Sequence, residues 1–98
     1  MIETIYTNAF GKEICGIRLD DLKVVDTPHG KVVVYNIYYN GHHKYTRAGF
    51  YSRTLKNDES QAIEGNAVPK EKQDDVSAII SKIQGYKKPI KFWGEKLD

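Results

Sequence analysis

Tyr38, His43, Lys44, Tyr45, Arg47, Tyr51 and Arg53 all fall within one stretch, KVVVYNIYYNGHHKYTRAGFYSR, residues 31–53. The stretch interleaves aromatic rings with cations and contains no carboxylate. Single-stranded nucleic acid suits that chemistry, because every base has a flat π face that stacks on a ring while Arg and Lys pair with phosphates. Each stacked base contributes roughly 1–3 kcal/mol, so Tyr38, Tyr45 and Tyr51 would together make a useful site. Lys44, Arg47 and Arg53 would contact phosphates. The expectation is a small non-enzymatic nucleic-acid-binding accessory protein, with single strands favoured. The alternative is a protein-binding module or inhibitor acting through the same surface, since Tyr and Arg also dominate protein interfaces.

Other residue groups offer less chemistry. His42 and His43 are adjacent, and adjacent strand residues point to opposite faces, so one metal ion does not readily take both. His29 stands in a separate turn. Asp74 and Asp75 sit near a helix start, where negative charge is stabilising in its own right. Asp20 and Asp21 have no convergent third ligand in the sequence. The lone Cys15 excludes an internal disulfide and gives no zinc spacing. A nucleophile with its base, a phosphate loop and metal spacing are all missing, so the reading is of a non-enzyme with no metal and no cofactor.

The 98 residues suffice for a single domain, 1–98, and are too few for two independent cores. A net charge of +2 says little, but its distribution says more. Residues 27–57 carry five bases and no acid, whereas residues 58–75 carry six acids and two bases. The first segment is a local positive field whatever the total. The acidic segment would repel phosphates if it lay beside the basic face. No apolar run approaches the roughly 20 residues of a membrane span, and the N-terminus lacks a signal pattern. A cytoplasmic protein without a membrane partner is expected.

The elements that must position the site follow from periodicity and turn chemistry. IETIYT reads as a short strand and LKVVD, residues 22–26, as a better one. KVVVYNIYY is the strongest, dense in β-branched and aromatic residues. TPHG is a turn, and Asn40-Gly41 is the best short hairpin signal a sequence offers. HKYTRAGFYSRTL is the return strand, with Gly49 a bulge or bend. Residues 56–70 are polar and break the pattern, and ESQAIEG within them reads as one helical turn. Val76, Ile79, Ile80 and Ile83 recur at helical spacing, which predicts a helix over residues 70–84 after Pro69. IKFW reads as a short extended piece in which Trp93 pins the tail to the core.

The fold class is therefore α+β: a small antiparallel sheet of about four strands in a meander, with one C-terminal amphipathic helix packed on one face. Strict alternation through both turns puts Leu22, Val24, Val33, Tyr35, Ile37, Tyr39, Ala48 and Phe50 on the helix-facing side. The opposite side then carries Lys23, Val25, Val32, Val34, Asn36, Tyr38, His43, Tyr45, Arg47, Tyr51 and Arg53. Either these tyrosines and arginines are cross-strand partners that stabilise a sheet face, or they contact a ligand. The three valines on that side favour a cover over part of it, supplied by the N-terminal strand, by IKFW or by a second subunit of a homodimer.

Two resemblances bear on function. VVYNIYYNGHHKYTRAG resembles the GIY-YIG nuclease module, with VVY and YTR in place of that motif's triplets. It would make Tyr35 and Tyr45 the motif tyrosines, Arg53 a phosphate-charge stabiliser and Glu64 a metal ligand. The order of HGKVVVYNIYYNGHHKYTRAGFYSRTL followed by a helix is similar to the single-stranded-DNA-binding transcriptional coactivator family, in which a curved sheet face takes single strands. That likeness implies an architecture compatible with nucleic acid.

Overall fold

The computed structural model describes residues 2–10, 13–14 and 17–95. Its elements run β1 (Ile2–Asn8), β2 (Glu13–Ile14), β3 (Ile17–Thr27), β4 (Gly30–Tyr39), β5 (His42–Lys56), β6 (Ser60–Asn66), α1 (Lys70–Ser81) and β7 (Ile90–Phe92). The class is α+β, but the sheet has seven strands instead of about four. The helix is followed by a strand, so it is not the last element. Cys15 lies outside the described residues.

Strand order is β1-β6-β5-β4-β3-β2, all antiparallel, with β7 joining β5 in parallel. The fifteen-residue β5 makes this possible, because it pairs with β4 along its first part and with β6 along its last. The sheet curls so far that β1 and β2, at opposite ends of the order, come within 8 Å between Cα atoms. Asn40 and Gly41 adopt positive φ, 51° and 81°, as a two-residue hairpin turn demands. The other turn closes at Thr27 opposite Gly30 and sets Val24 against Val33, the register the sequence predicts.

Residues 60–66 form strand β6 where one helical turn is expected. The polar residues of the segment are half-buried between β1 and β5, except for the exposed Asn66, and Ile63 is buried. Gly49 marks neither a bulge nor a bend. It is a seat: a Cβ there would collide with the indole of Trp93, as would one at Gly65. Both glycines let the ring lie flat against the sheet. Trp93 is 1% exposed. It anchors the tail as the sequence suggests.

The two faces of the sheet each carry a core. On the concave side Leu19, Val33, Tyr35, Ile37, Ile63 and Trp93 pack together, with Ile5, Leu22, Tyr45 and Tyr51 at their margin. On the convex side Val32, Val34 and Ala48 meet Val76 and Ile80 of α1, joined by Val68, Tyr86 and Phe92. The helix thus covers the even residues of β4, not the predicted odd ones. The odd residues need no helix because the curl of the sheet and Trp93 enclose them. Residues 32–37 of β4 are buried without a break, as happens when a strand is covered on both faces.

A single bulge explains why β5 changes face relative to β4. Ile37 opposes Tyr45, yet Tyr38 opposes His43, which leaves Lys44 as an extra residue in β5. One extra residue reverses the alternation for everything beyond it. Ala48 and Phe50 therefore share a face with Val34 and Val32, while Arg47 crosses to the side of Tyr35. A second shift, between Tyr51 and Arg53, separates those two residues in the same way. The predicted single Tyr/Arg face is consequently divided between both sides of the sheet.

Candidate nucleic-acid interface

The seven residues expected to form the site do not come together. Arg47 is 5% exposed on the concave side. Its Nη2 donates to both carboxylate oxygens of Glu3, at 2.7 and 2.8 Å, and its Nη1 to the Phe92 carbonyl at 3.2 Å. A cation so engaged holds β1 and β7 to β5; it is not available to a phosphate. Tyr45 and Tyr51 are half-buried against the concave core, and the Tyr51 hydroxyl lies 2.8 Å from Thr54 Oγ1. Arg53 is exposed but pairs through Nε with Glu64 at 2.6 Å.

The roles implied by the nuclease resemblance also meet a different geometry. Tyr35 is buried, and burial pushes its hydroxyl pKa up to about 12, partly offset by Arg47 alongside. Glu64 does meet Arg53, but as an ion pair. Among the described residues no three of His, Cys, Asp and Glu come close enough to hold a metal ion.

Tyr38, His43 and Lys44 remain at the tip of the β4–β5 hairpin. Tyr38 and His43 pair across the strands, ring centroids 5.8 Å apart and planes at 84°. The guanidinium of Arg18 stands 5.4 Å from the Tyr38 centroid, at cation–π range. His43 Nε2 lies 3.1 Å from Thr46 Oγ1. That hydroxyl has one hydrogen, and it also faces Asn36 Oδ1 at 2.8 Å and the Lys87 carbonyl at 3.0 Å, both of which only accept. Its hydrogen therefore goes to an oxygen, and His43 must donate from Nε2. Burial first, and then the Lys87 charge, hold the imidazole below its ordinary pKa. Near neutral pH His43 is a neutral donor that positions its neighbours and adds no charge.

This network does something the sequence did not reveal. Asn36 Nδ2 donates to the Gly85 carbonyl at 2.8 Å, and the Thr46 amide to the Pro89 carbonyl at 2.9 Å. Together with the Thr46–Lys87 bond they fasten residues 85–89 beside the hairpin. Lys87 and Lys88, both exposed, are thereby held beside the hairpin at the level of Asn36 and Thr46, where the Lys87 charge reaches His43. The fold merges two acid-free segments, residues 27–57 and 86–91, that are far apart in the chain. The KKP sequence is visible, but nothing local says where it docks. Tyr39 and His42 are the other additions. They pair across the hairpin next to the turn and are exposed, Tyr39 by 57%.

The tip thus presents Tyr39, His42 and Lys44 on one face, with Tyr38, His43 and Arg18 locked together on the other, where Lys87 and Lys88 follow beside Asn36 and Thr46. The acidic stretch 58–75 belongs to β6 and α1. Within it Asp75 meets His29, near the opposite turn, with His29 Nε2 3.2 Å from Asp75 Oδ2. Among the described residues no helix is long and apolar enough to cross a membrane. Compared with protein-family models, curated proteins and solved structures, the chain matches none of them.

Proposed function

We infer that the protein is a small cytoplasmic, non-enzymatic accessory protein that binds nucleic acid through the tip of the β4–β5 hairpin. One observation carries the reading: buried hydrogen bonds from Asn36 and Thr46 hold the Lys87 segment against a hairpin that has no carboxylate. Two basic segments joined in this way concentrate positive charge on a hairpin that also carries an open tyrosine, a combination that suits a phosphate chain with unpaired bases. Arg47 and Arg53 take no part, since each already holds a carboxylate.

Fluorescence anisotropy with labelled single-stranded oligonucleotides at several salt concentrations tests this. Affinity falls steeply with salt, and Lys87→Ala/Lys88→Ala lowers the log–log slope by about 1.4, near 0.7 for each phosphate that is no longer neutralised. Arg53→Ala leaves the slope unchanged. Absence of binding at low salt by the folded protein overturns the reading.

The second reading, a protein-binding module or inhibitor using the same surface, draws on Tyr39. A tyrosine left open at a hairpin tip is also the kind of residue that anchors an interface. Affinity for a protein partner centred on that ring would vary little with salt.

A further inference from the structure

Stacking capacity is set by the number of aromatic faces left open. A protein that tracks along a single strand offers a succession of them, and each further base adds affinity. The hairpin of this protein does not. Tyr38 is engaged by the Arg18 guanidinium and by the His43 ring. Tyr45 and Tyr51 are committed to the concave core, and Tyr35 is buried within it. Of the tyrosines in β4 and β5, Tyr39 alone is more than half exposed.

The surroundings of Tyr39 are equally specific. His42 is its cross-strand partner, so ring and imidazole stand side by side at the very end of the ribbon. Lys44, displaced from the alternation by the bulge, follows two residues later. The other ribbon face at the tip is closed by the Tyr38–His43 pair and its bond to Thr46. One face of the tip is structural, and the other is free.

Resting on the nucleic-acid reading, the geometry points to a site for one unstacked base, carried by a duplex end with an overhang or by a loop, and not for a continuous single strand. The base stacks on Tyr39 beside His42. The flanking phosphates meet Lys44, while the neighbouring duplex passes round the ribbon edge to Lys87 and Lys88 on the face of Asn36 and Thr46.

The test compares a blunt duplex, the same duplex with a one-nucleotide overhang, and oligothymidines of about 2 to about 16 nucleotides. A 2-aminopurine at the overhang reports stacking. The overhang duplex binds roughly 5-fold tighter than the blunt one or better, and its 2-aminopurine is quenched. Once corrected for the number of registers, affinity for oligothymidine stops rising near about 4 nucleotides. Tyr39→Ala removes the overhang preference and the quenching, Tyr39→Phe keeps both, and circular dichroism confirms that each variant is folded. Affinity that keeps climbing with length, or an overhang preference indifferent to Tyr39→Ala, overturns the single-base site while the nucleic-acid reading stands. No binding to any probe overturns both.

Discussion

The hairpin of β4 and β5 has two ends built from the same residue types, with opposite fates. At the inner end Tyr35 and Arg47 face each other across the strands, buried, with the guanidinium clasped by Glu3. At the outer end Tyr39, His42 and Lys44 stand in solvent. Composition does not distinguish the ends: each has tyrosine and a cation and no acid of its own. The difference arises from what the rest of the chain delivers. The inner end receives a carboxylate from β1 and an indole from the segment after β7, while the outer end receives no carboxylate and the lysines at 87 and 88 dock between the two, on the face of Asn36 and Thr46. A tyrosine–cation pattern along a strand therefore identifies a binding surface only after the carboxylates of other strands have been placed.

Three measurements would break or sharpen this contrast, and the largest effect belongs to the inner end. Trp93→Ala empties the space over Gly49 and Gly65 and destabilises the protein by about 3–5 kcal/mol in denaturant unfolding. The indole Nε1 has no acceptor among the described residues, so Trp93→Phe loses packing alone and costs clearly less. If both substitutions are equally mild, the indole does not hold the concave core together.

Glu3→Ala comes next. It leaves the Arg47 guanidinium buried with the Phe92 carbonyl and the Tyr35 hydroxyl but no carboxylate, and should cost about 2–3 kcal/mol, discounted because Glu3 is partly exposed. Lys44→Ala at the tip changes stability by less than about 0.5 kcal/mol. Equal effects at the two positions would erase the distinction between the ends.

Alkaline pH gives the third and smallest effect. The Tyr35 pKa rises to about 12 in the folded chain from an ordinary value of 10. Between those values the unfolded chain has lost the proton and the folded chain keeps it, so stability declines as pH rises above about 10. The loss attributable to Tyr35 reaches about 2 kcal/mol by pH 12. Tyr86, raised to about 12 chiefly by burial and then by Asp21, contributes in the same window. Tyr35→Phe isolates the first contribution, and an unchanged alkaline limb in that variant would remove Tyr35 from the account.

Much of the fold was legible in the sequence. The tyrosine-rich hairpin, its Asn-Gly turn, the helix stripe and the short strand before Trp93 all follow from periodicity and turn chemistry. Strand β6 was not legible, because SQAIEGN is polar and carries Gly65, whose purpose appears only when the indole lies across it. The bulge at Lys44 was hidden as well: no glycine or proline marks it, yet it decides which side of the sheet receives Arg47. Half of the candidate site was readable for the same reason. Lys44 and the charge of the hairpin are evident from local sequence, whereas the arrival of Lys87 depends on buried hydrogen bonds to Asn36 and Thr46. The cover expected over the valine face, from the N-terminal strand, IKFW or a second subunit, comes from α1 together with Phe92 of IKFW.

Trp93 is the single tryptophan of the protein, and it lies in the concave core, away from the tip. The molecule thus carries its own optical gauge. Indole emission shifts to longer wavelength when the curled sheet opens and water reaches the ring, but a ligand seated on Tyr39 leaves it undisturbed. Folding and binding can accordingly be followed in one cuvette without a label on the protein, the indole reporting the integrity of the scaffold while the oligonucleotide reports occupancy of the hairpin.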